Sequence, residues 1–320
     1  MIPVILITGF LGSGKTTLLQ RLLADPALAD TAVLINEFGD VGLDHHLLER
    51  IDDTMVLLQS GCLCCTIRGE LSDAIRRLHD QRDAGTVPPF RRLVIETTGL
   101  ADPYPILSTI HADPVLRHHF TLGVVVTTID AVNADGQLAR QPETAKQIAA
   151  ADHVVLTKTD IAEPGSLPAL IDRVRRINPT ATFWPTAAID ANALLSPRST
   201  GVFWADSVSQ PVTNDIRAFC LVFDEPLDWS VFGIWLTMLL HAHGTSVLRV
   251  KGMLNVAGSA TPVAIHGVQH LTHPPTHMAA WPDNDRSSRL VFIVRDLDPA
   301  LIERSLRAFG GVPESRAVAA

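Results

Sequence analysis

Over the first two hundred residues, short runs of β-branched and aliphatic residues alternate with stretches of helical spacing. VILIT (4–8) runs into a helical stretch opened by Gly14-Lys15-Thr16. AVLI (32–35), MVLLQ (55–59), RLVIE (92–96), LGVVVTTID (122–130) and HVVLTKTD (153–160) are further runs of the same kind. Helical spacing recurs in ELSDAIRRLHDQ (70–81) and PETAKQIAAAD (142–152). Continuous apolar strands separated by helices predict a buried, mostly parallel sheet covered on both faces. The pattern changes near residue 190, where DANALLSPRSTGVFWADSVSQPVTN (190–214) is rich in Ser, Pro, Asn and Asp. Beyond it come IRAFCLVF (216–223), a helix near Trp229 to His241, SVLRVKGMLNV, TPVAIHGVQ, RLVFIV (289–294) and a helix from Pro299 to Ala308. HLTHPPTHMAAWPDNDRSS reads as a loop. The expected organisation is an α/β domain over 1–195, a linker over 196–214 and a smaller α+β domain over 215–320.

Composition narrows the function classes. With 320 residues, 47% hydrophobic and 19% charged, the chain can bury a core, which excludes a disordered chain. A formal charge of −8 argues against non-specific binding to nucleic acid or anionic membrane. One Tyr, 5 Trp and 11 Phe are too few for single-strand stacking platforms. No apolar run approaches the ~18 residues needed to cross a bilayer. MIPVILITGF lacks the basic flank and cleavage site of a secretory signal and reads as a strand, so the expected compartment is the cytoplasm.

The first chemical signal is Gly9-Phe10-Leu11-Gly12-Ser13-Gly14-Lys15-Thr16, which fits G-x-x-x-x-G-K-[ST] between an apolar strand and the helix TTLLQRLLAD. Glycines let successive N–H groups turn inward around phosphates, and the helix N-terminus adds partial positive charge. Gly12, Ser13, Gly14, Lys15, Thr16 and Thr17 are the expected nucleotide cradle, with Lys15 on the β- and γ-phosphates and Thr16 on Mg²⁺. Thr157-Lys158-Thr159-Asp160 follows HVVL, where a base-reading loop belongs. The Asp160 carboxylate can accept from N1–H and the 2-amino group of guanine, which adenine cannot offer, and the Lys158 stem can lie over the base. Asn-Lys-x-Asp is the usual guanine motif, so Thr157 gives up the bidentate reach of an amide. Glu96, at the end of RLVI, stands where a Walker-B carboxylate belongs, and the Gly99 N–H is placed to sense the γ-phosphate.

Three of the four cysteines, Cys62, Cys64 and Cys65, fall within four residues; Cys220 sits in AFCLVF and reads as a small buried hydrophobe. In a cytosolic chain such a cluster is no disulfide framework. Thiolates suit zinc, cobalt(II) or copper(I), and three sulfurs leave a tetrahedral position open for exchange. Inert buried thiols and a redox pair are the competing readings. Candidates for a fourth ligand lie in Asn36-Glu37-Phe38-Gly39-Asp40 and in His45-His46.

GFLGSGKTTLL, INEFGDVGLD, GCLCCTIRGEL, ETTGLADP and TKTD stand in the order and spacing of the CobW-like GTPases, which the chain resembles over nearly its whole length. These are metallochaperone-type P-loop proteins related to the nickel-insertion GTPases, and VLRVKGML…HGVQH…SRLVFIVRDLD resembles their C-terminal domain. The resemblance implies a P-loop fold, slow GTP hydrolysis with Mg²⁺, and a transition metal at Cys62, Cys64 and Cys65. It assigns Lys15 and Thr16 to phosphate and magnesium, Glu96 to the Walker-B acid, Asp160 to guanine, and points to Asp40 as a metal ligand. Asp40 stands where the family usually has Glu, and Thr157 where it has Asn.

The expected function is therefore a GTP-gated carrier of zinc, or of cobalt next, serving a client metalloprotein; a homo-oligomer is left open. A P-loop kinase would leave the thiols unexplained, and a nucleotide-binding adaptor with structural zinc would not turn over. In the second domain His241, His243, His266, His270, His273 and His277 read mainly as solvated loop and helix-end histidines, Lys251-Gly252 as structural, and Trp229, Phe232 and Trp235 as core or interface.

Overall fold

The computed structural model describes residues 1–35, 57–59, 67–163, 165–195, 216–309 and 315–319. The chain divides into two compact units: Met1–Leu167 with Thr182–Arg198, and Pro168–Ala181 with Ser199–Ala320.

In chain order the first two hundred residues form β1 (Ile2–Gly9), α1 (Lys15–Leu23), β2 (Thr31–Ile35), β3 (Leu57–Gln59), α2 (Ile67–Asp83), β4 (Arg92–Glu96) and α3 (Pro103–Ala112). Then follow α4 (Pro114–His119), β5 (Phe120–Asp130), α5 (Ala134–Arg140), α6 (Pro142–Ala150), β6 (His153–Thr157), α7 (Ser166–Ile177), β7 (Thr182–Pro185) and α8 (Ala191–Leu195). The seven strands pair in the order β3-β2-β4-β1-β5-β6-β7. Every pairing is parallel, so the expected mostly parallel sheet is wholly so among the described residues. Strands β1, β2 and β6 are buried on both faces, which is why they read as unbroken apolar runs. Ile5, Ile7, Val33, Val94, Val126 and Val155 pack with Leu18, Leu19 and Leu22 of α1 into one core.

Register places the strand ends that matter in one row. Gln59 pairs with the level of Ile35, Ile35 with Glu96, and Glu96 with Ile7. The carboxyl ends of β3, β2, β4 and β1 therefore finish together, at the edge where open α/β sheets bind ligands. Helices α3 and α4 interrupt no apolar period. Each is started by Asp-Pro: Asp102 accepts from Tyr104 N and Asp113 from Val115 N and Leu116 N, with Pro at the first helical turn.

The second unit carries β8 (Ile216–Phe223), α9 (Trp229–His243), β9 (Val247–Leu254), β10 (Val263–Val268), β11 (Leu271–Thr272), β12 (Thr276–His277), β13 (Ser288–Arg295), α10 (Pro299–Phe309) and β14 (Ser315–Ala319). The order is β11-β10-β9-β13-β8-β14, with β12 also on β10, and all pairings are antiparallel. Two expectations change. The histidine-rich segment read as a loop holds β11 and β12, which fold back onto β10; and α10 does not end the fold, because β14 adds an edge beside β8. Helix α9 buries Phe232, Trp235, Leu236, Leu239 and Leu240, while Trp229 is exposed. Phe219 and Phe292 stack at 5.3 Å and Trp235 meets Phe292 edge-on at 6.3 Å. Cys220 is buried among Val222, Met253 and Val291, the apolar role expected of it. Lys251 is buried too, and its Nζ donates to the Thr180 carbonyl at 3.2 Å. No helix among the described residues is long and apolar enough to cross a membrane.

Candidate nucleotide site

At the carboxyl end of β1 the chain turns sharply. Gly9 has φ +141°, and a Cβ there would lie 2.3 Å from Thr128 Oγ1 and 2.5 Å from its carbonyl oxygen, so only glycine lets the loop leave this close to β5. Gly12 and Gly14 are left-handed at +69° and +84°. Gly14 is the N-cap of α1 and makes no side-chain capping bond, and the helix N-terminus brings its partial positive charge to the end of the loop. The Lys15 Nζ folds back on the loop, donating to Gly9 O (3.0 Å) and Phe10 O (3.1 Å). Buried Ser13 is held by a 2.6 Å bond between its Oγ and Thr128 Oγ1. Gly12 and Thr17 are exposed.

The phosphate loop and the carboxylate that ends β4 meet directly. Thr16 Oγ1 donates to Glu96 Oε1 at 2.6 Å, across the register row that aligns β1 with β4. The hydroxyl and carboxylate are a pair of hard oxygens of the kind Mg²⁺ takes, so the residues present fit that ion. Thr97 Oγ1 donates to Thr8 Oγ1 at 2.9 Å and Thr97 N to Ile7 O at 3.0 Å, fixing the residue after the acid to β1. Gly99 then passes over the phosphate loop: a Cβ on it would lie 2.4 Å from Leu11 N. From α6, Gln147 Nε2 donates to Gly99 O (3.1 Å) and Ala101 O (3.0 Å), and Lys146 Nζ to Asp102 Oδ2 (3.0 Å).

The third side is the loop after β6. Thr157 is buried and its hydroxyl lies 2.8 Å from Ser13 O and 3.1 Å from Ile129 O. It ties this loop to the phosphate loop by the backbone of Ser13, and its methyl packs where Gly14 has no side chain, 3.5 Å from a Cβ built there. Lys158 is left-handed at φ +56°, and its Nζ donates to Asp130 Oδ2 at 2.6 Å. Asp130, at the end of β5, also accepts from Val132 N, Asn133 N and Asn133 Nδ2. Burial opposes its charge, but the Lys158 ammonium and these N–H donors outweigh burial and hold the carboxyl below the ordinary carboxylate value. Asp160 is exposed beyond Lys158.

Gly12, Ser13, Gly14, Lys15, Thr16, Thr17, Glu96, Gly99, Lys158 and Asp160 thus lie at or just after the carboxyl ends of β4, β1 and β6, with β5 between the last two. Asp130, Thr128, Lys146 and Gln147 are additional to the expected set. Asp130 had a readable signal, a carboxylate closing the apolar run TTID much as Glu96 closes RLVI. Gln147, inside a helix, had none. Asp40, Cys62, Cys64 and Cys65 lie outside the described residues, and among the described residues no group of three or more His, Cys, Asp or Glu side chains is arranged to hold a metal.

The CobW/HypB/UreG nucleotide-binding domain matches residues 3–185, and the cobalamin synthesis protein cobW C-terminal domain matches 216–310. The zinc chaperone YjiA of Escherichia coli (strain K12) is 36% identical over 301 residues, covering 91% of this chain and 93% of that protein. The zinc chaperone CobW of Pseudomonas aeruginosa is 28% identical over 351 residues, covering 96% and 91%. The crystal structure of Zn(II)-bound YjiA GTPase from E. coli superposes with a TM-score of 0.72 at 31% identity, covering 97% of this chain and 99% of that one. With both family domains matched along nearly its whole length and a relative 36% identical over 91% of it, the chain belongs to the CobW family of P-loop GTPases.

Proposed function

We propose that this GTPase carries a transition metal, zinc first and cobalt second, at Cys62, Cys64 and Cys65 with Asp40 as a further ligand, and passes it to a client metalloprotein in the cytoplasm under control of GTP hydrolysis. One observation supports the coupling most. Gln59, Ile35, Glu96 and Ile7 share one register row, and both metal motifs leave the sheet from that row. Cys62 comes three residues after Gln59, and Asp40 five after Ile35. Three residues reach at most about 10 Å, and three strand spacings separate β3 from β1, about 14 Å. Chain length alone thus limits how far Cys62 can lie from Gln59, which shares its register row with Glu96. The relatives' names, zinc chaperone YjiA and zinc chaperone CobW, favour zinc as the cargo.

In this reading Lys15 leaves the Gly9 and Phe10 carbonyls for the β- and γ-phosphates. Thr16 and Glu96 would hold Mg²⁺, which supplies charge neutralisation at the phosphates. Glu96 orients the water that attacks, and the Gly99 N–H senses the γ-phosphate. Asp160 reads guanine while Asp130 holds Lys158 beside it. The C-terminal domain after the 196–214 linker presents the client-docking surface.

Linkage makes the proposal testable. If GTP tightens metal binding, metal must tighten GTP binding by the same factor. Titration of GDP and of a non-hydrolysable GTP analogue, with and without Zn²⁺, is expected to show tighter analogue binding in the presence of zinc. Identical affinities in both titrations would remove the coupling and leave a GTPase with no metal control.

A further inference from the structure

The turn that follows the Walker-B acid is held from behind by one helix. Gln147 lies in the middle of α6 and is wholly buried. Its side-chain amide uses both hydrogens on the turn, donating to Gly99 O and Ala101 O at 3.1 and 3.0 Å. The amide's orientation follows from chemistry: turned over, it would set its own oxygen against two carbonyl oxygens. Its Oε1 has no hydrogen-bond partner among the described residues. A buried amide oxygen left so is costly, and the structure tolerates it where the other end of the amide has two acceptors to hold.

Both ends of this clasp are fixed. The Gln147 carbonyl accepts from Thr127 Oγ1 at 2.8 Å, which ties α6 to β5 one residue before Thr128, the phosphate-loop contact. Next to it, Lys146 Nζ reaches Asp102 Oδ2 at 3.0 Å, and Asp102 starts α3 by accepting from Tyr104 N. Residues 99, 101 and 102 are therefore all anchored to α6. On the opposite side the turn meets backbone: Gly99 abuts Leu11 so closely that a Cβ would come within 2.4 Å of its nitrogen. The turn is pinched between the phosphate loop and two adjacent residues of α6.

We infer that Gln147 is a positioning residue for recognition of the γ-phosphate. By holding the Gly99 and Ala101 carbonyls it keeps the turn over the phosphate loop, and so sets how strongly the protein distinguishes GTP from GDP. This rests on the role given above to Gly99. Gln147 touches no nucleotide; it acts through the turn, with the Lys146–Asp102 pair as a second, more exposed tether.

The test is Gln147→Met in the full chain, which keeps length and apolar bulk and removes both donors. Fluorescence titration with GDP and with a non-hydrolysable GTP analogue is expected to leave GDP affinity within about twofold. Analogue affinity should fall about tenfold, the scale set by one or two net hydrogen bonds. Single-turnover hydrolysis should slow in parallel. Thr144→Val, on the same helix with a buried hydroxyl that has no hydrogen-bond partner among the described residues, changes core polarity without touching the turn, and should leave the analogue-to-GDP ratio at the wild-type value. A folded Gln147→Met protein with the wild-type ratio would overturn the inference. If that variant does not fold, Lys146→Met carries the test: it should lower the ratio by a smaller factor, and an unchanged ratio would overturn the inference equally. A wild-type protein that binds both nucleotides equally would instead remove the assignment of Gly99, and this inference with it.

Discussion

Asp130 and Lys158 form a 2.6 Å charged contact at the loop after β6, and its chemistry can be followed atom by atom. One carboxylate oxygen accepts from the Val132 and Asn133 backbone; the other accepts from Lys158 Nζ and Asn133 Nδ2. Asparagine has only one acceptor oxygen, so Asp130→Asn must set an NH₂ group against one of these donor pairs. Nucleotide affinity is expected to fall about fivefold to twentyfold, measured by GDP titration. The effect is held to this range because Lys158 is 36% exposed and solvent screens the pair. The sign of its pH dependence follows from the depressed carboxyl. Its stabilisation is fully present above the ordinary value of 3.8 and is lost as pH falls through the lower folded-state value, so the Asp130 carboxyl contributes no pH dependence between pH 5 and 8. Thr157 shows where reading residues alone stops. As a letter it is a missing Asn; in the fold its hydroxyl reaches Ser13 O and Ile129 O and joins the base loop to the phosphate loop.

Elements with an unbroken apolar run were legible, because burial on both faces of a parallel sheet demands such runs: β1, β4, β5 and β6 lie on VILIT, RLVIE, LGVVVTTID and the start of HVVLTKTD. Short or capped elements were not. β11 and β12 are two residues each and exist by pairing with β10, while α3 and α4 are announced by Asp-Pro caps instead of by period. The turn after β4 lies between these cases, since Gly99 was legible as a residue type but not its contact with Leu11. That contact makes a prediction at this scale. In Gly99→Ala the new methyl meets Leu11 backbone, which has no flexible end to move aside, so turn and phosphate loop must separate. Hydrolysis should fall at least tenfold, with a stability loss of about 1–3 kcal/mol. Gly136→Ala, in α5 with open space around the added carbon, should instead gain about 0.5–1 kcal/mol. Thermal melts and phosphate release separate the two. Equal behaviour of the two variants would mean that the Gly99 contact with Leu11 has no part in the cycle.

Across the molecule, the parallel sheet converts a sequence order into a spatial one. The phosphate loop, Asn36–Asp40, the cysteines and Glu96 are spread over about ninety residues, yet the strands leading to all four share one register row near their carboxyl ends, Ile7, Ile35, Gln59 and Glu96. Their order in the sheet, β3-β2-β4-β1, sets the acid strand β4 directly between the two strands that lead to Asp40 and to Lys15. Under the proposed function, a change at the phosphates would have a short route, through Glu96 and its neighbours in the row, to the strands that lead to the proposed metal ligands. Thermal melting measures this as a cycle of four states: no ligand, Zn²⁺, GTP analogue, and both. Each ligand alone at a hundred times its Kd should stabilise by about 2.7 kcal/mol. With both present, the stabilisation should exceed the sum by the coupling free energy, about 1–3 kcal/mol for ordinary linked sites. Replacing Cys62, Cys64 and Cys65 together by Ser should abolish the zinc shift and this excess, while leaving the shift from the analogue intact, because Lys15, Thr16 and Glu96 are untouched. An excess that survives in the serine variant would place the coupling metal elsewhere in the chain. Strict additivity in the wild type would mean that nucleotide and metal share an edge of the sheet without sharing any energy.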